Sequence, residues 1–284
     1  SKSHHLESMS NTPRVALLGC GYWGKNLARN LHALGALACV CDPSELGRAK
    51  AIEIAGDIKI TSEFESVFAD ASIDAVAIAT PAPTHYELAV AALRAGKDVF
   101  VEKPMTLRTA EAVQLQSHAA HYERVLMVGH LMEYHPAIQK ISQLAMDGEL
   151  GDLHYIVSNR LNFGIVRTVE NAWWSLAPHD VSVVMRLMGS LPESITCCGG
   201  DFITRGVDDL ANAVLRFANG RQAQISVSWL HPAKERRLFV VGSRRSAIFD
   251  DAMNALTLYE QRVVVNEGVP ELMNEGAKPM VLSE

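Results

Sequence analysis

Short apolar runs alternate with amphipathic stretches through the first 130 residues, and this alternation restricts the fold more than any other feature of the chain. The runs fall at 14–18, 37–41, 75–79, 98–101 and 125–128, with 58–60 as a shorter candidate. Between them, 23–34, 44–55, 84–95 and 106–120 carry apolar residues at helical spacing, and a further helix starts near Thr61 or Ser62. Ser44 stands where an N-cap is needed. A strand that is apolar on both faces needs cover on both, so the helices lie above and below a parallel sheet. The expectation is a doubly wound α/β domain over 11–130.

After His130 the rhythm changes. A helix at 136–146 stops near Gly148, and strand-like segments follow at 154–161, 194–203, 212–217, 223–229, 237–241, 246–250 and 256–259. One helix, 178–188, lies between the first two of these strands, and turns as short as Ala218-Asn219-Gly220 join later ones. Such connections imply mostly antiparallel pairing. The second domain, 131–284, is therefore read as α+β, an open and mostly antiparallel sheet with one face under helix. The other face is free to meet a second copy, so a homodimer or homotetramer through this sheet is expected. The segment 266–284 is rich in Gly, Pro and Glu and reads as a loop.

Composition excludes several functions. Of 284 residues 48% are hydrophobic and 20% charged, enough for a full core. A net charge of -6 argues against nucleic acid, which needs a basic surface. No apolar run reaches the roughly 20 residues of a spanning helix, so no membrane association is expected. Residues 1–8, with His4 and His5, read as an expression remnant, which places the start of the chain proper at Met9 within 1–10. The five cysteines have neither a disulfide-framework nor a metal-ligand spacing. They are read as buried reduced thiols of a cytoplasmic protein, with no metal bound.

Gly19-Cys20-Gly21-Tyr22-Trp23-Gly24 joins the first strand to the first helix as G-x-G-x-x-G. The first glycine permits the tight turn, the second lets a pyrophosphate approach the backbone, and the third lets the helix pack closely. Unpaired N–H groups at the helix start face the phosphates. Asp42 follows Gly24 by 18 positions at the end of the next strand, where a carboxylate can accept from ribose hydroxyls and repel a 2′-phosphate. The domain is read as a Rossmann domain for NAD, with Gly19, Gly21, Tyr22, Trp23, Gly24 and Asp42 at the cofactor. Thr80, Pro81 and His85 follow the fourth strand and border the same ligand edge.

Glu102-Lys103-Pro104 ends the fifth strand at that edge, where a lysine can stabilise a developing alkoxide. Gly19–Gly24, Asp42, Thr80-Pro81 and Glu102-Lys103-Pro104, in this order on successive strands, resemble the glucose–fructose oxidoreductase/inositol dehydrogenase/MocA family. The resemblance implies that Lys103 is catalytic, that the nicotinamide lies near Glu102–Pro104, and that a cis peptide often precedes the proline. It also implies an Asp-x-x-x-His element whose histidine serves as acid–base. His179 matches it, whereas Ser175 stands at the aspartate position. Pro178 as first helical residue puts His179 in the first turn, where the helix dipole favours the neutral, proton-accepting ring. Asp180 is read as an acid complementing that dipole. Lys103 and His179 are the expected catalytic pair, acting in a reversible hydride transfer.

Tyr134, His135, Arg160, Asn162, Arg167, Asn171 and Trp174, with His179, are candidate substrate contacts. Gly-Cys-Gly-Tyr-Trp-Gly-Lys-Asn, Glu-Tyr-His-Pro and Ser-Leu-Ala-Pro-His-Asp look like the nucleotide-sugar branch of the family. That branch implies oxidation of the C3 hydroxyl of UDP-N-acetylglucosamine, with an aminotransferase then making a 3-amino sugar for lipid A or surface polysaccharide. Another nucleotide-sugar or cyclitol dehydrogenase, or a 3-ketosugar reductase, is the alternative enzyme reading. A dinucleotide-binding regulator is the non-enzyme alternative, and Lys103 with His179 argues against it. The resemblance further implies a C-terminal helix packing on the Rossmann domain, for which the sequence to Glu284 offers no candidate.

Overall fold

The computed structural model describes residues 12–282, so the segment read as an expression remnant lies outside the described residues. The chain divides into two compact units, 1–129 and 130–284.

In the first unit β1 (Val15–Leu18), β2 (Leu37–Cys41), β3 (Lys59–Thr61), β4 (Ala75–Ile78), β5 (Asp98–Val101) and β6 (Leu126–Val128) form a parallel six-stranded sheet, order β3-β2-β1-β4-β5-β6. One face packs on α1 (Gly24–Ala33) and α2 (Glu45–Ala55), where Ala28, Ala51 and Ala55 meet Leu17, Val40 and Ala77. The other packs on α3 (Phe64–Phe68), α4 (His85–Arg94) and α5 (Thr109–His121), where Val67, Leu93 and Leu115 meet Leu18, Ile78 and Val101. This is a doubly wound Rossmann sheet. Its connections change direction between β1 and β4, and ligands bind beyond the carboxyl ends of strands at such a crossover. The fifth helix starts three residues later than its periodicity suggests. Thr106 Oγ1 donates to the Arg108 carbonyl at 2.8 Å, and Arg108 is extended (φ -133, ψ 135), so the chain turns before it coils.

In the second unit α6 (Pro136–Met146), α7 (Ala172–Leu176) and α8 (Pro178–Met188) cover one face of an eight-stranded sheet. Its strands are β7 (Leu153–Phe163), β8 (Ser194–Gly200), β9 (Leu210–Arg216), β10 (Gln222–Ser228), β11 (Leu230–Gly242), β12 (Ser246–Asp250), β13 (Ala255–Asn266) and β14 (Val269–Met280). The order is β14-β13-β12-β11-β7-β10-β9-β8, antiparallel except for β7 against β10. Alternation selects the buried face: Ile156, Ala223, Ile225, Val227, Val240 and Phe249 pack on Ile138, Ile141 and Val184 of the helices.

Two expectations are corrected here. The stretch from 266 is no loop, because β13 and β14 form a long hairpin through Glu267 and Gly268, both at positive φ (51 and 84). A two-residue turn with both central residues left-handed matches the twist of its strands. The cysteines are not all buried either. Cys20, Cys39 and Cys41 are, but Cys197 and Cys198 are exposed on β8, an edge strand without helical cover. No helix among the described residues is long and apolar enough to cross a membrane.

Candidate active site

The turn after β1 has the shape a dinucleotide needs. Gly19 adopts φ +89, and a Cβ there would sit 2.9 Å from the main chain of Ala79 and Thr80. A Cβ on Gly24 would lie 2.0 Å from the Gly19 carbonyl oxygen, so only glycine lets α1 start this close to the strand. A Cβ on Gly21 would meet nothing within 4 Å. The open space at Gly21, before the N-terminus of the ten-residue α1, fits a pyrophosphate against main-chain N–H groups. Tyr22 is 74% exposed beside this turn.

Asp42 ends β2 and is buried. Its Oδ2 accepts from Cys20 N at 2.7 Å, and its Oδ1 from Ser44 N (2.8 Å) and Ser44 Oγ (2.7 Å). The carboxylate therefore braces the glycine turn and caps the next loop, while Oδ2, with a single donor, keeps capacity for another. Gly47 leaves room for it, since a Cβ there would come within 2.1 Å of Asp42 Oδ2. Sequence reading missed Ser44 and Gly47 as its partners; the DPS turn followed by glycine was the available signal.

Lys103 is half-buried after β5, and Lys103–Pro104 is a cis peptide. Glu102, before it, is buried and accepts from Trp23 Nε1 at 2.7 Å. Burial pushes the Glu102 carboxyl above the usual carboxylate range, against the pull of the Trp23 bond and of Lys103. In the loop after β4, Thr84 Oγ1 stands within hydrogen-bond distance of Thr80 Oγ1 (2.7 Å) and of the Pro81 carbonyl oxygen (2.8 Å), with one proton to share between them. The expectation that His85 reaches the cofactor is corrected. Its ring is 1% exposed, and both nitrogens are taken up by main-chain oxygens of Thr80 and Pro104.

In the second unit His179 is half-buried in the first turn of α8, directly after Pro178. Ser175, four positions earlier on α7, is buried. Asp180 does more than complement a dipole: its buried carboxylate accepts from Ser158 Oγ (2.6 Å), Arg160 Nε (2.7 Å) and Arg160 Nη2 (3.2 Å). Arg160 also lies 4.0 Å from Asp251, which pairs with Arg236 at 3.6 Å. Arg160, a candidate substrate contact, is therefore buried with its Nε and Nη2 on Asp180.

Other candidates divide by surroundings. His135 Nδ1 accepts from Ala137 N (3.1 Å) and Asn171 Oδ1 from Trp174 N (3.0 Å), so both cap helices, α6 and α7. The His135 ring also packs 4.7 Å from that of Phe249. Arg167 pairs with Glu170 at 2.9 Å on the surface. Tyr134 and Trp174 are exposed, and Asn162 is half-buried near the end of β7. No cluster of three or more His, Cys, Asp or Glu side chains suited to a metal occurs among the described residues.

Two family descriptions match: an oxidoreductase family NAD-binding Rossmann fold over residues 13–130, and a GFO/IDH/MocA C-terminal domain over residues 138–248. A UDP-N-acetylglucosamine 3-dehydrogenase from Acidithiobacillus ferrooxidans is 31% identical over 264 residues, 92% of this chain and 82% of its own. The solved structure of that enzyme has a TM-score of 0.82 at 28% identity, over 95% of this chain and 83% of its own. GenD2 from gentamicin A biosynthesis, solved in complex with NAD, has a TM-score of 0.80 at 27% identity, over 88% and 74%. Inositol 2-dehydrogenase 1 of Saccharopolyspora erythraea is 28% identical over 187 residues, 63% of this chain and 55% of its own.

Proposed function

Because the chain belongs to the GFO/IDH/MocA oxidoreductase family, we propose that this NAD-binding enzyme oxidises a hydroxyl of a nucleotide sugar, namely C3 of UDP-N-acetylglucosamine, to the ketone. The observation that carries the chemistry is that the open glycine turn after β1 and the Lys103 turn after β5 stand at the same carboxyl edge of one sheet. The choice of substrate is supported by similarity to the Acidithiobacillus enzyme over most of both chains.

When bound, NAD accepts the hydride from the carbinol carbon. Gly21 and the first turn of α1 hold the pyrophosphate by main-chain N–H groups, and Asp42 accepts from the ribose hydroxyls. Lys103 donates to the reacting oxygen and stabilises it as negative charge develops. His179 takes the hydroxyl proton at a ring nitrogen. With Ser175 where the family has an acid, no carboxylate at that position helps to orient the ring. The ketone is the substrate an aminotransferase needs for a 3-amino sugar, and the uncovered face of the eight-stranded sheet is where a second copy would pack.

The test is NADH formation with NAD and a panel of UDP-sugars and inositols, coupled to an aminotransferase that removes the ketone. Turnover confined to UDP-N-acetylglucosamine is expected. Turnover with inositol alone would overturn the substrate and favour the cyclitol reading that the Saccharopolyspora relative supports.

A further inference from the structure

His85 opens α4, and its helix is anchored in the core by Ala89, Val90 and Leu93. The ring itself is 1% exposed. Its Nδ1 lies 2.8 Å from the Pro104 carbonyl oxygen and its Nε2 lies 2.8 Å from the Thr80 carbonyl oxygen. Carbonyl oxygens only accept. A ring with a single N–H therefore satisfies one of them and turns a lone pair on the other, whereas a ring protonated at both nitrogens satisfies both. Pro104 directly follows Lys103, and Thr80 lies in the loop after β4. One buried side chain thus ties together the two segments that border the proposed chemistry.

We infer that His85 is a positioning residue for Lys103, donating from both ring nitrogens and so holding the Pro104 carbonyl in register with the Thr80 carbonyl. This rests on the reading of Lys103 as the group that meets the reacting oxygen. The residue on the other side of Lys103 is held as well. Burial raises the Glu102 carboxyl, while the Trp23 bond, Lys103 and His85 draw it down. Lys103 then has a fixed neighbour on each side: Glu102 held by the Trp23 indole, and Pro104 held by the His85 ring. A lysine stem is long and mobile, so fixing the main chain at its base is what limits the places its ammonium can reach.

The experiment reads the ring nitrogens by NMR in protein labelled with 15N-histidine, the His85 signals being those lost in His85→Gln. Two protonated nitrogens are expected, and a bare nitrogen would overturn the double donation. In the same variant the amide has one nitrogen and cannot span both oxygens. Its kcat should fall by about tenfold to a hundredfold, the scale of a misplaced catalytic group, with NAD affinity and substrate KM little changed. Unchanged kcat would overturn the positioning role, as would a loss of thermal stability without loss of kcat. If His85→Gln does not fold, the wild-type spectrum, assigned through its carbon-bound ring protons, still decides the double donation. Wild-type protein that oxidises no nucleotide sugar contradicts the proposed substrate instead, and kcat is then compared on whichever polyol it does oxidise.

Discussion

Trp23 Nε1 donates a 2.7 Å hydrogen bond to Glu102 Oε1, linking the glycine turn after β1 to the residue before Lys103. Removing the donor strands a buried acceptor, which costs about 1–3 kcal/mol. Trp23→Phe should therefore lower stability by that amount in urea unfolding and weaken NAD binding at the same time. An unchanged unfolding midpoint would mean that the bond contributes nothing.

The same carboxyl gives a pH dependence with a definite sign. Burial raises Glu102 in the folded chain, so the fold binds its proton more tightly than the unfolded chain does. That contribution is complete below the ordinary glutamate range and is lost as pH rises through the higher folded value. Glu102→Gln keeps an acceptor for Trp23 and does not titrate. Stability of the variant relative to wild type should rise with pH across that window, measured by urea unfolding from acid to neutral pH. A constant difference would contradict the raised carboxyl.

Gly21 and Gly24 separate folding from binding. A methyl group on Gly24 meets the Gly19 carbonyl oxygen at 2.0 Å, so Gly24→Ala should destabilise the fold by about 1–3 kcal/mol, as overpacking does. A methyl group on Gly21 meets no protein atom within 4 Å, so Gly21→Ala should unfold at the wild-type urea concentration. Its NAD affinity should nevertheless fall about tenfold or more, because the pyrophosphate needs that space. Equal loss of stability in both variants would contradict the assignment.

In the second unit, Arg160→Met leaves Asp180 buried without its cation. About 3–5 kcal/mol should be lost in urea unfolding. The double variant Arg160→Met with Asp180→Leu should recover most of it, since the uncompensated charge goes too. Equal stability of the single variant and wild type would show that the pair does not hold the start of α8.

The legible parts of this chain were those dictated by local chemistry. Runs such as Leu37–Cys41 can be satisfied only between two helical layers, and the structure places Val40 on one face and Cys39 and Cys41 on the other. The glycine turn was legible because each glycine answers a separate steric demand. Hydrogen bonds across long separations were not. Glu102 reads as a residue of the cofactor edge, and nothing local shows that Trp23, 79 positions away, donates to it. Arg160 and Asp180 are 20 positions apart, and strand alternation shows the face of the arginine but not its partner. Asp209 escaped notice altogether, although its buried carboxylate accepts from Trp229 Nε1 and from the main chain of Phe202 and Ile203. The β13–β14 hairpin was hidden by composition. Its second strand is exposed along nearly its whole length and tolerates Pro270 and Pro279, as an edge strand can. The Asn266-Glu267-Gly268 stretch between Val265 and Val269 was the one local clue.

The most direct test of the proposed chemistry is steady-state NADH formation by Lys103→Ala beside direct measurement of its NAD affinity. If Lys103 stabilises the developing alkoxide, turnover should fall at least about a hundredfold, as on loss of an oxyanion donor, with NAD affinity nearly unchanged. Turnover at the wild-type rate would contradict the account and place the catalytic donor elsewhere.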